Sequence, residues 1–256
     1  RRWPQQPWNP PAASVRQARY SRGACDMDDV DDEGCFWDAC HDSSPSFSDD
    51  ECAHQYRRDV VLPILGQPLR VMEDQRLGIA GHAWPGGRAL LSFLAAHLDV
   101  LHGRRILELG AGTGLLGIGC DLLLHGLAAS AQHSICVTDV GTAVPLMEQN
   151  VRLNGAPRTT AAELVWGKTD VQQFGAPVDV VIMAEVAYIK DTFRDLAATL
   201  AALCGPNTVV WHGYHLREAC ASPLFLEELT KLGFVHEELQ RTADATIFQH
   251  RPPQKV

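Results

Sequence analysis

Long apolar runs are missing from this 256-residue sequence. A membrane-spanning helix needs about 18 or more consecutive apolar residues. The best candidate, residues 115–131, is interrupted by Asp121 and His125. We therefore expect a soluble chain with no membrane partner. Its hydrophobic content of 46% is ordinary for a globular protein and sufficient for a sizeable core.

Cysteine pairs of the metal-binding type are also missing, since none of the eight cysteines belongs to a Cys-x-x-Cys sequence. Four of them lie in predicted helices and strands or at their edges, namely Cys120, Cys136, Cys204 and Cys220. We expect reduced thiols in an intracellular compartment, with the cytoplasm as the predicted location and the nucleus or an organelle left open. The other four share residues 25–54 with two histidines at spacings that match no regular zinc finger, which favours free thiols over a metal site.

Basic residues are absent from residues 24–54, which hold eleven acids, whereas residues 1–23 hold five arginines and no acid. Few aliphatic residues accompany these charges, so residues 1–54 are predicted to form a disordered arm, first Arg-rich and then acidic. The arm is either a solvated tail or a surface for a basic partner. Residues 55–256 form the predicted folded domain. It has no basic run that would follow a phosphate backbone, so we expect no nucleic-acid partner.

The folded part is organised around residues 105–118, where a short apolar run leads into Gly110, Gly112 and Gly114. This pattern predicts a buried strand, a tight turn and the start of a helix whose backbone amides a ligand can approach closely. Glu108 stands two residues before the first glycine, and Asp139 ends the next apolar run. An acid at the end of the second strand can hydrogen-bond both ribose hydroxyls of an adenosine cofactor. The glycine spacing differs from the Gly-x-Gly-x-x-Gly of nicotinamide binders.

Apolar segments alternate with helical patterns along the rest of the domain. Strands are predicted at residues 106–109, 134–138, 162–165, 178–183 and 208–212, with a terminal pair at 234–239 and 246–250. Helices are predicted at residues 88–98, 115–124, 143–154, 192–203 and 224–232, after an antiparallel pair over 60–71 joined at Gly66-Gln67. This order defines an α/β fold with a doubly wound, Rossmann-like sheet, whose ligand lies at the carboxyl ends of the strands.

Six segments carry a more specific resemblance. They are Gly81-His-Ala-Trp84-Pro85, Glu108-Leu-Gly-Ala-Gly-Thr-Gly-Leu115, Thr138-Asp139, Asn150-Val-Arg-Leu-Asn154, Leu164-Val-Trp166-Gly167 and Ala184-Glu-Val-Ala-Tyr-Ile-Lys-Asp-Thr-Phe193. In order and spacing they resemble the seven-strand, S-adenosylmethionine (SAM)-dependent protein lysine methyltransferases of methyltransferase family 16. That family includes enzymes acting on heat-shock and other ATP-driven chaperones. The resemblance covers roughly residues 60–250 and implies a seven-strand methyltransferase sheet with a terminal antiparallel strand.

The resemblance also implies which residues bind the cofactor SAM. They are Trp84, Gly110, Ala111, Gly112, Gly114, Asp139, Trp166 and Ala184. An indole such as that of Trp166 can stack on adenine, while Asp139 suits the ribose or, alternatively, the N-terminus of the next helix. Glu108 either holds the glycine loop through backbone amides or reaches the amino-acid end of SAM.

Catalysis is predicted at Glu185 and Tyr188, directly after the strand at 178–183. Related lysine methyltransferases often have Asp-x-x-Tyr here, whereas this chain has Glu. A carboxylate can bind the incoming ammonium and orient the neutral amine, and the Tyr ring can form one wall of a lysine channel. The alternative is a solvated loop acid beside a Tyr that packs on the following helix. Asp191 is expected to cap that helix, while His212, His215 and Arg217 follow the next strand.

We therefore predict a SAM-dependent protein N-lysine methyltransferase that releases S-adenosylhomocysteine. Its expected partner is a protein substrate, such as a chaperone or another ATP-driven folded protein, and its expected state is a monomer. One alternative is a methyltransferase for a small molecule or a protein histidine. Another is a SAM-binding interaction module without catalysis. An open acidic rim around Glu185, rather than a closed apolar pocket, would favour the lysine substrate.

Overall fold

The computed structural model describes residues 57–64, 67–125, 133–215, 222–243 and 245–254. The predicted arm at residues 1–54 lies outside the described residues, and so does Arg217. Within the described residues, no helix has the length and apolar character needed to cross a membrane.

A sheet of seven strands forms the centre of the domain, in the spatial order β5-β4-β3-β6-β7-β9-β8. The strands are β3 (Arg105–Leu109), β4 (Ser134–Asp139), β5 (Thr159–Glu163), β6 (Val178–Ala184), β7 (Cys204–His215), β8 (Val235–Arg241) and β9 (Ala245–Arg251). Strands β3 to β7 pair in parallel, whereas β9 is antiparallel to both β7 and β8. Successive strands are therefore added on one side of β3 up to β5 and on its other side from β6 onwards. The carboxyl ends of β3, β4 and β6 meet at one edge of the sheet, where a doubly wound sheet binds its ligand.

A separate antiparallel hairpin precedes the sheet, formed by β1 (Arg57–Ile64) and β2 (Gln67–Asp74). Its strands match the predicted antiparallel pair. The Asp74 carboxylate accepts from the Arg76 amide at 3.1 Å and begins a 3₁₀ segment over Gln75–Gly81, which leads the chain to the ligand edge of the sheet.

Helices cover both faces of the sheet, as a doubly wound fold requires. They are α1 (Pro85–Ala95), α2 (Leu98–Leu101), α3 (Leu115–His125), α4 (Val144–Asn154), α5 (Phe193–Leu203) and α6 (Ser222–Lys231). One apolar layer joins α1 to α4 with side chains such as Ile106 and Ile182. The other joins α5 and α6 with Leu107 and Met183. Neighbouring strand residues thus point into opposite layers, because successive side chains of a strand alternate between faces.

The predicted bounds of two elements were wrong. Helix α1 begins at Pro85 rather than at residue 88, because Gly86 and Gly87 are helical and do not extend the turn before them. Strand β5 spans Thr159–Glu163 rather than 162–165, since its pairing with β4 ends at Asp139↔Glu163. It is the edge strand of the sheet and is only partly buried, so it lacks the continuous apolar run on which the prediction relied.

The predicted cap of α5 was also wrong. Thr192, not Asp191, occupies the N-cap position, and it makes no side-chain cap hydrogen bond. Asp191 lies instead within a short 3₁₀ turn over Lys190–Thr192. His212 and His215 lie within β7 rather than after it, because that strand extends to His215.

Candidate active site

The glycine turn after β3 forms the floor of the site. Gly110, Gly112 and Gly114 have φ values of 62°, 56° and 77°, a region that non-glycine residues seldom adopt. A Cβ on Gly110 would come within 2.7 Å of Val186 Cγ1, and one on Gly112 would lie 3.0 Å from the Ala80 carbonyl oxygen. The loop therefore needs glycine both for its backbone conformation and for close packing.

Asp139 lies at the end of β4, directly beside this loop. Its Oδ2 accepts from the Gly112 amide at 2.7 Å, and its Oδ1 accepts from the Val140 amide at 2.7 Å. Burial raises the pKa of this carboxyl, although the two amide hydrogen bonds oppose the shift. Asp139 thus joins the end of β4 to the glycine loop instead of capping the next helix.

Glu108 is buried beneath the loop, and its Oε2 accepts from the Gly117 amide in α3 at 2.8 Å. A Cβ on Gly117 would lie 2.8 Å from that oxygen, so the helix has a glycine where the carboxylate approaches. Burial raises the Glu108 pKa from 4.5 to about 8, with a smaller upward contribution from Asp139. Its bond to a backbone amide agrees with the predicted role of holding the glycine loop. Its position in the cavity wall is also compatible with the alternative, a contact with the amino-acid end of SAM.

Trp166 lies in the turn after β5. A Cβ on Gly110 would lie 3.2 Å from the Trp166 Cζ2 atom, so the indole packs directly against the glycine loop. The next residue, Gly167, has φ 71° and donates its amide to Thr199 Oγ1 at 2.8 Å. The Thr199 hydroxyl in turn donates to the Asp195 carbonyl at 2.8 Å, which fixes the Trp166 turn on α5.

Trp84 immediately precedes α1. Its indole Nε1 donates to the Ile79 carbonyl at 2.8 Å, and the His82 ring packs edge-on against it with the centroids 5.6 Å apart. Both rings line the cavity. The indole is therefore fixed by the segment that connects β2 to α1.

Glu185 directly follows β6 and is only 5% exposed. Its φ of 56° makes it the one non-glycine residue with positive φ among the described residues, a strained conformation that is often found at functional sites. The Glu185 amide donates to the Gly213 carbonyl at 3.0 Å, and Oε1 accepts from the Gly86 amide near the start of α1 at 2.7 Å. Within the described residues Oε2 is buried without a hydrogen-bond partner. Glu185 is therefore not a solvated loop acid.

The mouth of the cavity carries apolar side chains. Tyr188 is 38% exposed there, and Ile189 beside it is 45% exposed. Val140 and Ile79 are also exposed and line the same opening. Lys168 and Asp195 add one charge of each sign to the wall. The rim is thus mixed, neither strongly acidic nor closed.

These elements enclose a cavity of about 470 Å³, within the range of small-molecule sites. It brings together all the predicted site residues except Gly114, namely Trp84, Glu108, Gly110, Ala111, Gly112, Asp139, Trp166, Ala184, Glu185 and Tyr188. Gly114 lies behind the loop, where its φ of 77° directs the chain into α3. Sequence reasoning assigned no role to His82, Thr113, Lys168 or Asp195, which also line the wall. His82 and Thr113 lie inside two of the six segments, whereas Lys168 and Asp195 lie outside them. His212 is buried in the core and does not line the cavity.

The cavity fits SAM on chemical grounds. Glu108, Asp139 and Glu185 place carboxyl groups around a space that would hold a sulfonium and an ammonium, and opposite charges compensate burial. The indole of Trp166 beside bare glycine backbone offers a surface for a flat base. Among the described residues no group of His, Cys, Asp and Glu side chains is arranged to hold a metal ion.

Solved structures define the class of the fold. A Thermus thermophilus 16S rRNA N2 G1207 methyltransferase, in complex with AdoMet and guanosine, superposes with a TM-score of 0.55 at 20% identity over 78% of this chain and 51% of that chain. A TehB-like SAM-dependent methyltransferase from Corynebacterium glutamicum has a TM-score of 0.50 at 15% identity over 70% and 93% of the two chains. The fold is that of the SAM-dependent methyltransferases, which confirms the predicted α/β class.

The sequence model of the lysine methyltransferase family matches residues 65–232, so the chain belongs to that family. Mouse EEF1A lysine methyltransferase 3 is 30% identical over 73% of this chain and 78% of its own length. The zebrafish protein N-lysine methyltransferase METTL21A is 33% identical over 66% of this chain and 76% of its own length. The predicted family, the reaction class of protein lysine methylation and the cofactor SAM are thereby confirmed.

Proposed function

We propose that Glu185 receives the ε-amino group of a substrate lysine at the inner end of the cavity. The observation that carries this proposal is the buried, unpartnered Oε2 of Glu185, because a buried carboxylate oxygen without a donor is costly until a donor arrives. A lysine nitrogen supplies such a donor. The Gly86 amide already donates to Oε1, so Oε2 is the carboxylate oxygen that still needs a donor.

Tyr188 and Ile189 form the entry for the lysine side chain in this proposal. Their rings and methyl groups lie at the mouth, where the four-carbon stem of lysine would pass, while Glu185 lies deeper. The ammonium loses one proton to water at this open mouth, and Oε2 then orients the neutral nitrogen and its lone pair. SAM supplies an electrophilic methyl group on sulfur. Methylation returns a positive charge to the nitrogen, which the Glu185 carboxylate stabilises.

The cofactor residues divide the rest of the cavity. We assign Asp139 to the ribose, Trp166 to the adenine, and the Gly110–Gly112 backbone to the part of SAM nearest β3. Trp84 and Ala184 border the methyl group, since they lie beside the start of α1 and at the end of β6, next to Glu185. We assign Glu108, which is buried beneath the glycine loop and lines the cavity, to the amino-acid end of SAM.

The substrate is a protein, and we propose a folded one. Two classes are tested directly. One is EEF1A, which is named in the mouse relative, and the other is an ATP-driven chaperone, as the resemblance implies. We further propose a cytoplasmic monomer that binds no nucleic acid, a placement supported by the free thiols of Cys120, Cys136 and Cys204.

The test is methyl transfer from radiolabelled SAM into a cell lysate, purified EEF1A and a purified chaperone, with mass spectrometry of the labelled residue. Methyl-lysine in one discrete protein is expected, and Glu185→Gln should lower its rate of formation about 100-fold or more. Label on histidine or on a small metabolite would reject the substrate class. Tight SAM binding without any label would favour a non-catalytic module. Cell fractionation, light scattering and filter binding test the location, the monomer and the lack of nucleic-acid binding.

A further inference from the structure

Two asparagines on α4, Asn150 and Asn154, lie one helical turn apart and face strand β2. Each side-chain amide pairs with one β2 residue as a neighbouring strand would. Asn150 Oδ1 accepts from the Met72 amide at 2.8 Å, and its Nδ2 donates to the Met72 carbonyl at 3.0 Å. Asn154 repeats this with Arg70, at 2.9 Å and 2.6 Å. Residues four apart share one face of a helix, and residues two apart share one face of a strand, so the two asparagines can make the same pair of hydrogen bonds along β2.

The two asparagines differ in their remaining hydrogen bond. Nδ2 of Asn154 donates to the Asn150 carbonyl within its own helix at 2.8 Å. Nδ2 of Asn150 donates instead to the Thr113 carbonyl at 2.9 Å, inside the glycine loop. Asn150 is fully buried, and Thr113 lines the cavity. Asn150 alone therefore joins the hairpin, the helix and the loop.

A second path leads from the same strand to the same cavity. Strand β2 ends at Asp74, which begins the 3₁₀ segment Gln75–Gly81. Leu77, Ile79 and Ala80 of that segment line the cavity, and the Ala80 carbonyl lies against Gly112. Asn150 thus fixes the floor of the cavity through Thr113 and one wall through β2.

We propose that Asn150 is a positioning residue for SAM, which couples the β1–β2 hairpin to the glycine loop without touching the cofactor. This inference rests on the assignment of the cavity to SAM. Loss of its NH₂ group frees the Thr113 carbonyl and loosens β2, so the cofactor must bind a less ordered loop. Ordering that loop on binding then reduces affinity.

The test compares Asn150→Asp with Asn154→Asp in the full chain. Both substitutions keep the shape and the acceptor oxygen and remove two donated hydrogen bonds, but only the first removes the bond to Thr113. SAM dissociation constants are measured by calorimetry, with thermal midpoints recorded beside them. We expect Asn150→Asp to raise the dissociation constant and the KM for SAM about tenfold, with kcat at saturating SAM within about threefold of wild type. Asn154→Asp should lower the thermal midpoint but leave SAM affinity within about twofold.

Equal effects of the two variants on SAM affinity, or a lower midpoint for Asn150→Asp with unchanged affinity, would overturn the proposal. Failure of the wild-type protein itself to bind SAM would instead reject the assignment of the cavity, and the coupling with it.

Hydrogen exchange on the wild-type protein decides the matter even if Asn150→Asp does not fold. Coupling is reciprocal, so SAM should slow exchange of the Met72 amide, which donates to Asn150, at least fivefold more than exchange of the Arg70 amide, which donates to Asn154. Equal protection of the two amides, or none, would show that Asn150 only holds the hairpin in place.

Discussion

Glu185 and Gly86, 99 residues apart in the chain, meet where β6 ends and α1 begins. The Gly86 amide donates to Glu185 Oε1 at 2.7 Å, and a Cβ on Gly86 would lie 2.6 Å from that same oxygen. One carboxylate oxygen is thereby fixed at the positive end of a helix, and within the described residues the other is buried without a hydrogen-bond partner. Glycine is required at residue 86 because the carboxylate occupies the space that a side chain would fill.

Replacing Glu185 with Gln should lower kcat about 100-fold or more and leave the dissociation constant of SAM within about threefold of wild type. The amide keeps an acceptor for Gly86 but removes the charge that holds the lysine nitrogen, and positioned acid–base groups contribute about 10²–10⁴-fold. Steady-state kinetics with methyl-lysine detection and calorimetry measure the two quantities. Asp191→Asn, which changes an exposed acid outside the cavity lining, serves as the control. Full activity of Glu185→Gln would remove this carboxylate from the mechanism.

Gly86→Ala should also lower kcat, by about tenfold or more, because the new methyl group displaces the Glu185 carboxylate. The neighbouring Gly87→Ala is the matched control, since its Cβ would lie 3.6 Å from Leu115 Cδ2, an ordinary contact. Both residues are buried in the first turn of α1, so their helix propensities change alike. Parallel measurement of kcat and thermal midpoint separates activity from stability. Similar kcat values for the two variants would contradict the steric argument.

The succession of strands and helices along the chain, the glycine loop and the acids at the strand ends could be predicted from sequence, because they depend on local patterns. The contact between Gly86 and Glu185 could not, since Gly86-Gly87 by itself favours a turn and only the distant carboxylate explains it. Thr199 is similar. No sequence motif marks this residue. Its hydroxyl matters because it accepts a hydrogen bond from the amide of Gly167, which lies 32 residues away in the chain. Asn150 belonged to a segment that carried the resemblance, but its partners on β2 and in the loop appear only in three dimensions.

Thr199→Val should raise the dissociation constant of SAM about three- to tenfold. Valine has the shape of threonine but cannot accept from the Gly167 amide, so a part-buried hydrogen bond worth about 0.5–1.5 kcal/mol is lost. The Trp166 turn is then released from α5. Thr230→Val on α6, where the hydroxyl also bonds back to its helix at the Leu226 carbonyl, controls for the loss of such a bond remote from the cavity. Calorimetry is the measurement, and unchanged affinity would show that α5 does not hold the turn.

SAM binding at pH 7 should release up to about one proton from Glu108. Burial gives this group a pKa of about 8, so it is mostly protonated before binding. A cationic ligand beside it favours the carboxylate and lowers that pKa. Calorimetry in buffers of different ionisation enthalpy counts the protons, and the release should vanish above about pH 9, where Glu108 is already ionised. Glu108→Gln should abolish the release. Binding without any buffer dependence would place the positive charges of SAM away from Glu108.

Three histidines on neighbouring strands form a chain that bears on stability in acid. His236 Nδ1 lies 2.9 Å from His250 Nδ1, and His250 Nε2 lies 3.4 Å from His212 Nδ1. Burial lowers the pKa of His212 from 6.5 to about 3 and lowers the pKa of the other two as well. Thr230 and the Leu226 carbonyl face His236, and Tyr214 lies beside His212.

Below about pH 6.5 these three histidines therefore bind protons in the unfolded chain but remain neutral in the folded chain. The free energy of unfolding is therefore unaffected by these histidines above that pH and decreases as the pH falls toward 3. The decrease is about 1.4 kcal/mol per pH unit for each histidine that stays neutral in the folded chain. Glu108 acts in the opposite direction. Its raised pKa makes stability fall as pH rises from 4.5 to about 8. The three histidines outweigh it in acid, so unfolding free energy should decline steeply between about pH 6 and 4.

His212→Phe tests the origin of this decline. Phenylalanine suits a site that already contacts Tyr214 and the Phe225 ring, and it removes one buried titrating group. Urea unfolding at a series of pH values should show a shallower slope in acid for this variant, by about one proton. A wild-type slope that His212→Phe does not alter would assign the acid sensitivity to groups outside this chain of histidines.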